Sequence, residues 1–130
     1  MKISRFEDLD CWQEARQLTK QVYEAIGRSP TWKKDLRFCG QTQDAAGSVM
    51  ANIAEGFARR SNREFIQFLF IAMSSAAEVQ SHLYIAVDQE YVSKEVFDSL
   101  YNQADKTSRI ISGLIKYLRS VQAKQTRQTR

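Results

Sequence analysis

The sequence predicts an all-α domain, an antiparallel up-down-up-down bundle of four helices with left-handed packing. Three observations carry that expectation. Apolar residues recur at alternating steps of three and four in four long segments, a period of about 3.5 residues that suits helices crossing at about 20°. Short breaks separate the segments, at Pro30, at Ser61-Asn62 and at residues 89–93, so consecutive helices should turn back on one another. One Pro and five Gly among 130 residues, 43% of them hydrophobic, fit neither a turn-rich β fold nor a disordered chain.

The first segment sets Cys11, Ala15, Leu18, Val22 and Ala25 on one seam, and Gly27 closes it. The second carries Leu36, Cys39, Gln43, Ala46, Met50, Ile53 and Phe57. The third repeats Phe65, Leu69, Ala72, Ala76, Val79, Leu83 and Ala86, opened by a capping box of Ser61 and Glu64. The fourth carries Phe97, Leu100, Ala104, Thr107, Ile111, Leu114, Leu118 and Val121, with Ser93 as N-cap and Glu95 in its first turn. Small residues alternate with large ones along each seam, as interdigitating layers require. The bundle should end near residue 121. Residues 122–130, "QAKQTRQTR", hold no large apolar group and read as a disordered basic tail.

Several classes of protein drop out early. No apolar run reaches the length of a membrane span, and "MKISRFEDLD" lacks the apolar stretch of a secretory signal. The expectation is a cytoplasmic protein that makes no membrane contact. Cys11 and Cys39, with a single His in the chain, cannot supply a four-ligand zinc site and read as small buried hydrophobes. His82 neighbours a core seam and reads as a packed histidine. No nucleophile–base order, phosphate loop or paired metal motif is present. Glu78, Asp88, Glu90, Glu95 and Asp98 lack the Glu-x-x-His repeat of a bundle metal site. No catalytic residue, metal or cofactor is expected.

Charge is segregated along the chain. Residues 28–63 carry seven basic against three acidic groups, residues 64–105 one against seven, and residues 106–130 seven against none. In an antiparallel bundle Arg59, Arg60 and Arg63, at the second turn-back, lie beside Lys116 and Arg119 of the last helix. Lys33, Lys34 and Arg37 go to the opposite end. A cationic end of that kind suits phosphate contacts without sequence reading.

The stretch "SVMANIAEGFARRSNREF" at 48–65 carries Asn52 and Glu55 inside an apolar run. With Met50 and Ile53 on the seam, both face away from the protomer's core, as a solvated face or as contacts to another subunit. Two further features favour the second reading. Gly40, Gly47 and Ala54 recur every seven residues, and a helical Gly costs roughly 1 kcal/mol relative to Ala unless close packing offsets it. The third helix also carries a second apolar stripe of Ile66, Phe70, Met73 and Ala77, which one bundle core cannot cover. Self-association follows, as a twofold dimer or a ring.

Three stretches, "FEDLDCWQEARQL", "AAGSVMANIAEGFARRSNREFIQFLFIAMSSAAEV" and "GLIKYL", resemble the four-helix-bundle proteins encoded in intervening sequences of bacterial 23S ribosomal RNA genes. The resemblance spans roughly residues 6–118, and its most specific part is Asn52 to Gly56 followed by Arg and then Glu64-Phe65. The chain departs from the family chiefly at "MSSAAE", residues 73–78, where the family commonly has Gly before the Ser. The resemblance implies a barrel-like homopentamer, in which Asn52 and Glu55 are contacts between subunits or inner-channel groups, with Arg59 the nearest partner for Glu55. It extends to the accessory variability protein of diversity-generating retroelements, which works with a reverse transcriptase and its nucleic acid. Two functions follow as expectations: binding of RNA or DNA by a basic rim, or a protein scaffold for a polymerase or ribosome-associated partner.

Overall fold

A computed structural model describes residues 3–128 of the protein. A single 3-10 turn, Phe6–Asp8, leads into α1 (Asp10–Gly27), the short α2 (Pro30–Lys34), α3 (Leu36–Phe57), α4 (Asn62–Asp88) and α5 (Lys94–Gln128). No strand occurs among the described residues.

Each start has a local cause. Ser29 Oγ accepts the Trp32 N–H, with Pro30 in the first turn of α2. Asp35 Oδ1 accepts the Phe38 N–H at the head of α3. Ser61 Oγ accepts the Glu64 N–H and donates to the Glu64 carboxylate. Ser93 Oγ accepts the Val96 N–H before α5. Gly27 does end α1, yet no glycine in the described chain has positive φ. Glu90 does, at φ 60°. It follows α4 with Glu90 N–H donating to Val87 O and Tyr91 N–H to Ala86 O, the two bonds of a Schellman ending that usually employs glycine.

The four long helices neighbour one another in the cycle α1, α3, α4, α5 and back to α1, forming a helical bundle. Its core divides into two clusters. One joins Leu18, Val22 and Ile26 to Phe38, Cys39, Ala45 and Ala46, to Val79, Leu83 and Ala86, and to Phe97, Leu100 and Ala104. The other joins Cys11 and Ala15 to Val49 and Ile53, to Phe65, Ile66, Leu69, Ala72 and Ala76, and to Ile111, Ile115 and Leu118. Full burial of a Leu or Ile side chain stabilises by about 1.5–3 kcal/mol, and Leu18, Ile53, Leu69, Leu83 and Ile111 are all fully buried.

The α4 seam is buried at all seven expected positions. The α3 seam is rotated from expectation. Cys39, Ala46 and Ile53 are buried, but Thr42, Ala45, Val49 and Gly56 complete the buried face, while Gln43, Met50 and Phe57 are half-buried and Leu36 is 77% exposed. Phe38 is buried with them, and the close approach to α4 falls at Gly56. A Cβ on Gly56 would lie 2.7 Å from Phe68 Cβ, so glycine allows α3 to approach α4 closely and draws the helix round to that side.

Smaller differences follow the same logic. Ile26 is buried with Ala25 half-buried, and Ile115 is buried with Leu114 half-buried. Trp32, in a segment read as a break, is fully buried and stacks on Phe38 and Tyr91. Residues 122–128 continue α5 instead of forming a disordered tail; Gln, Ala, Lys and Arg are good helix formers and no Pro or Gly stops them. Residues 129 and 130 lie outside the described residues.

Candidate nucleic-acid interface

The α3–α4 corner is tight for the reason just given: Gly56 sits against Phe65 and Phe68 with no room for a side chain. Only four residues, 58–61, connect the helices. Arg59 and Arg60 in that connection and Arg63 in the first turn of α4 are all exposed. The Arg59 guanidinium lies over the Phe68 ring, 4.6 Å from its centroid, a cation–π contact that fixes the side chain's direction.

α5 reaches the same end of the bundle. Ile115 and Leu118 share a core cluster with Phe65, Ile66 and Leu69. The Arg119 guanidinium stands 5.2 Å from the Phe70 ring centroid, joining α5 to the third turn of α4. Lys116, one turn earlier on α5, is exposed. The structure therefore gathers Arg119 and the arginine corner about the first part of α4. Lys33 and Lys34 lie on α2, and Arg37 in the first turn of α3, at the end of the bundle that holds the other core cluster.

These cations are not neutralised within the protomer. The ion pairs among the described residues engage Arg5, His82, Lys94, Lys106 and Arg109, and none of Arg59, Arg60, Arg63, Lys116 or Arg119. Glu64, the nearest acid in sequence to the corner, is engaged with Ser61.

The expected subunit-contact residues fare differently. Ile66 is only 7% exposed and belongs to the protomer's own core, and Met73 is half-buried against the same cluster. The second stripe of α4 is thus divided: Ile66 and Met73 pack into the protomer's own core, while Phe70 and Ala77 are exposed. Phe70 keeps 43% of its surface exposed. Asn52 is half-buried and donates to Ser48 O at 2.8 Å and Ser48 Oγ at 3.0 Å, while Ser48 shares a 2.9 Å hydrogen bond with Ser75 of α4. Its amide donors are occupied inside the protomer, along the α3–α4 seam. Glu55 is exposed, and Arg59 turns to Phe68 instead of to Glu55.

His82 is structural in its contacts. Its Nδ1 lies 3.2 Å from Thr42 Oγ1, its Nε2 lies 3.7 Å from Glu78, and its ring meets the Phe38 edge. Among the described residues no three His, Cys, Asp or Glu side chains gather as metal ligands. No helix there is long and apolar enough to cross a membrane.

The two arginine–phenylalanine pairs escaped the sequence reading. The spacing "FIQFLF" at 65–70 shows three phenylalanines, but which helix each faces depends on the α3 rotation and on how far α5 extends.

Comparison with known proteins gives a family and a fold. The family described as 23S rRNA-intervening sequence protein matches residues 7–113. No curated protein matches. A crystal structure of a protein with unknown function from the S23 ribosomal protein family of Bacteroides thetaiotaomicron VPI-5482 is similar, with a TM-score of 0.73 and 21% identity. That likeness covers 82% of this chain and 98% of the other. At that identity it speaks to the fold.

Proposed function

Because the chain belongs to the 23S rRNA-intervening sequence protein family, we propose that it is a non-enzymatic, self-associating helical-bundle protein that binds structured nucleic acid through phosphate contacts on a basic end. One observation carries this: five cations about the first part of α4, free of ion pairs among the described residues. Protein cations left unpaired and exposed attract a polyanion by releasing its counterions.

We read the long helices as running up, down, up and down. The split of the core supports this. One cluster unites the later part of α1 with the earlier part of α3, the later part of α4 and the earlier part of α5, and the other cluster unites the complementary parts. With that polarity the last turns of α5, bearing Lys124 and Arg127, extend alongside the arginine corner. The cationic end is then larger than its five residues.

Self-association rests on what one protomer leaves open. Leu36, Ile71 and Ile85 are exposed, and nothing lies within 4 Å of a Cβ built on Gly40 or Gly47. Neither glycine relieves a contact inside the protomer, so the roughly 1 kcal/mol each costs a helix has its offset in another chain. A ring of five, which the family resemblance implies, would repeat the basic end as a rim.

The test is a salt titration with labelled structured RNA and duplex DNA, alongside a native mass spectrum. Binding should weaken steeply as salt rises, and R59E/R60E/R63E should abolish it without changing the assembled mass. Binding that survives the triple reversal removes the basic end as the site. Absence of binding at low salt favours the protein scaffold.

A further inference from the structure

We propose that Phe70 and Arg119 form a stacking platform for an unpaired base, so that the nucleic acid taken at this end is single-stranded where it meets α4. The inference rests on the reading that the basic end binds nucleic acid. It adds which form is bound and where a base sits.

The two arginine–aromatic pairs flank α4 but are not equivalent. Phe68, beneath Arg59, is half-buried and packs against the Gly56 backbone. Its ring is committed to the protomer, and Arg59 can offer a ligand only its outward N–H groups. Phe70 keeps 43% of its surface open, and Arg119 stands 5.2 Å from its centroid without entering any ion pair among the described residues. A partly exposed aromatic ring with a planar cation over it offers two flat surfaces, the ring and the guanidinium, of the kind on which unpaired bases stack.

A duplex would use only half of this. Its bases are stacked on one another and its outside is phosphate, so Phe70 would stay in water. An unpaired nucleotide uses both parts. Its base covers the open ring of Phe70, and its phosphates meet the N–H fork of Arg119 and the neighbouring Lys116 and Arg63. A second copy of this chain is the poorer occupant. Seating it on Phe70 would bury the nearby cations, which have no acidic partner here, and that desolvation is expensive.

The experiment compares wild type with F70L and R119K by fluorescence anisotropy, using labelled oligouridine and a duplex of equal length at low salt. F70L keeps an apolar side chain against Arg119 but removes the π-face. R119K keeps the charge but removes the plane. Oligouridine should bind wild type more tightly than duplex and lose about ten-fold in either variant, within the range found for one stacked base. In F70L, duplex affinity, thermal unfolding and native mass should not change; in R119K, duplex affinity should fall less than oligouridine affinity. The platform is overturned if oligouridine affinity is unaffected, if duplex affinity falls in parallel, or if F70L changes the assembled mass. If wild type binds neither probe, the nucleic-acid reading itself fails and the platform with it. If wild type binds duplex while F70L leaves oligouridine unchanged, the platform alone fails.

Discussion

The hydroxyl of Tyr91 donates to Asp35 Oδ2 at 2.8 Å, while Oδ1 of the same carboxylate accepts the Phe38 N–H that opens α3. One side chain thus caps a helix and fastens the α4–α5 turn to it. The Asp35 carboxylate beside it, more than burial, pushes the Tyr91 hydroxyl above its ordinary value of 10.0. An acid whose folded value is raised favours folding while protonated. The contribution is complete below that ordinary value and is lost as pH rises through the higher folded one. Asp35→Ala should cost about 1 kcal/mol from the cap plus the tyrosine contact, measured by chemical denaturation. Asp35→Asn should retain most of the cap yet bring the Tyr91 titration, followed by phenolate absorbance, back towards normal. An unmoved titration would separate the two residues.

Glu90 occupies the left-handed position that ends α4. A side chain there costs roughly 1–2 kcal/mol of backbone strain, and none of the hydrogen bonds or ion pairs described for Glu90 involves its carboxylate. Glu90→Gly should stabilise the protein by about 0.5–1 kcal/mol after the extra unfolded-state freedom of glycine is deducted. A destabilised variant would show that the carboxylate has a partner in the assembled protein.

Gly56→Ala makes the opposite case. Alanine is the better helix former by about 1 kcal/mol, but its Cβ would meet Phe68 Cβ at 2.7 Å and Phe65 Cδ1 at 2.9 Å. Overpacking typically costs about 1–3 kcal/mol, and the Phe68 Cβ is a rigid obstacle, so net destabilisation is expected in thermal unfolding. Splaying the corner should also move Phe68 from beneath Arg59.

What could be read in advance followed from side-chain size and periodicity. The α4 seam was fully legible because large apolar residues mark it. The α3 face was half legible: Cys39, Ala46 and Ile53 form one seven-residue line shared by both faces, and Met50 and Phe57 pointed to the neighbouring line on one side. The line on the other side, Thr42, Val49 and Gly56, is the buried one, and at Gly56 the close approach of Phe68 leaves no room for a side chain. The end of α4 gave no glycine to read, since Glu90 fills that place. At the site, the cations were legible from charge order alone. Their aromatic supports were not, because cation–π pairing depends on which side of α4 each phenylalanine faces.

Cys11 is 1% exposed, and burial pushes its thiol up to about 12 from an ordinary 9.0. With the folded value raised, the neutral thiol contributes fully below pH 9.0. That contribution fades between there and about pH 12, at up to about 1.4 kcal/mol per pH unit. Native protein should resist thiol alkylation at neutral pH and react once denatured. Cys11→Ala should flatten the alkaline loss of stability seen in wild type. Rapid alkylation of Cys11 in the native state would contradict its packing.

The last turns of α5 separate stability from binding. Among the described side chains of α5 the last buried one is Leu118, and residues 123–127 are exposed. Deleting residues 123–130 should therefore change unfolding free energy by less than about 0.5 kcal/mol. The same deletion removes Lys124, Arg127 and Arg130, three of the seven basic groups after Asp105. If those groups touch phosphates, affinity at low salt should fall, and the slope of log affinity against log salt should become shallower. Each lost contact is worth roughly 0.7 on single strands and 0.9 on duplex. A truncated protein that binds with unchanged slope would confine the interface to the arginine corner and the residues of α5 up to Arg119.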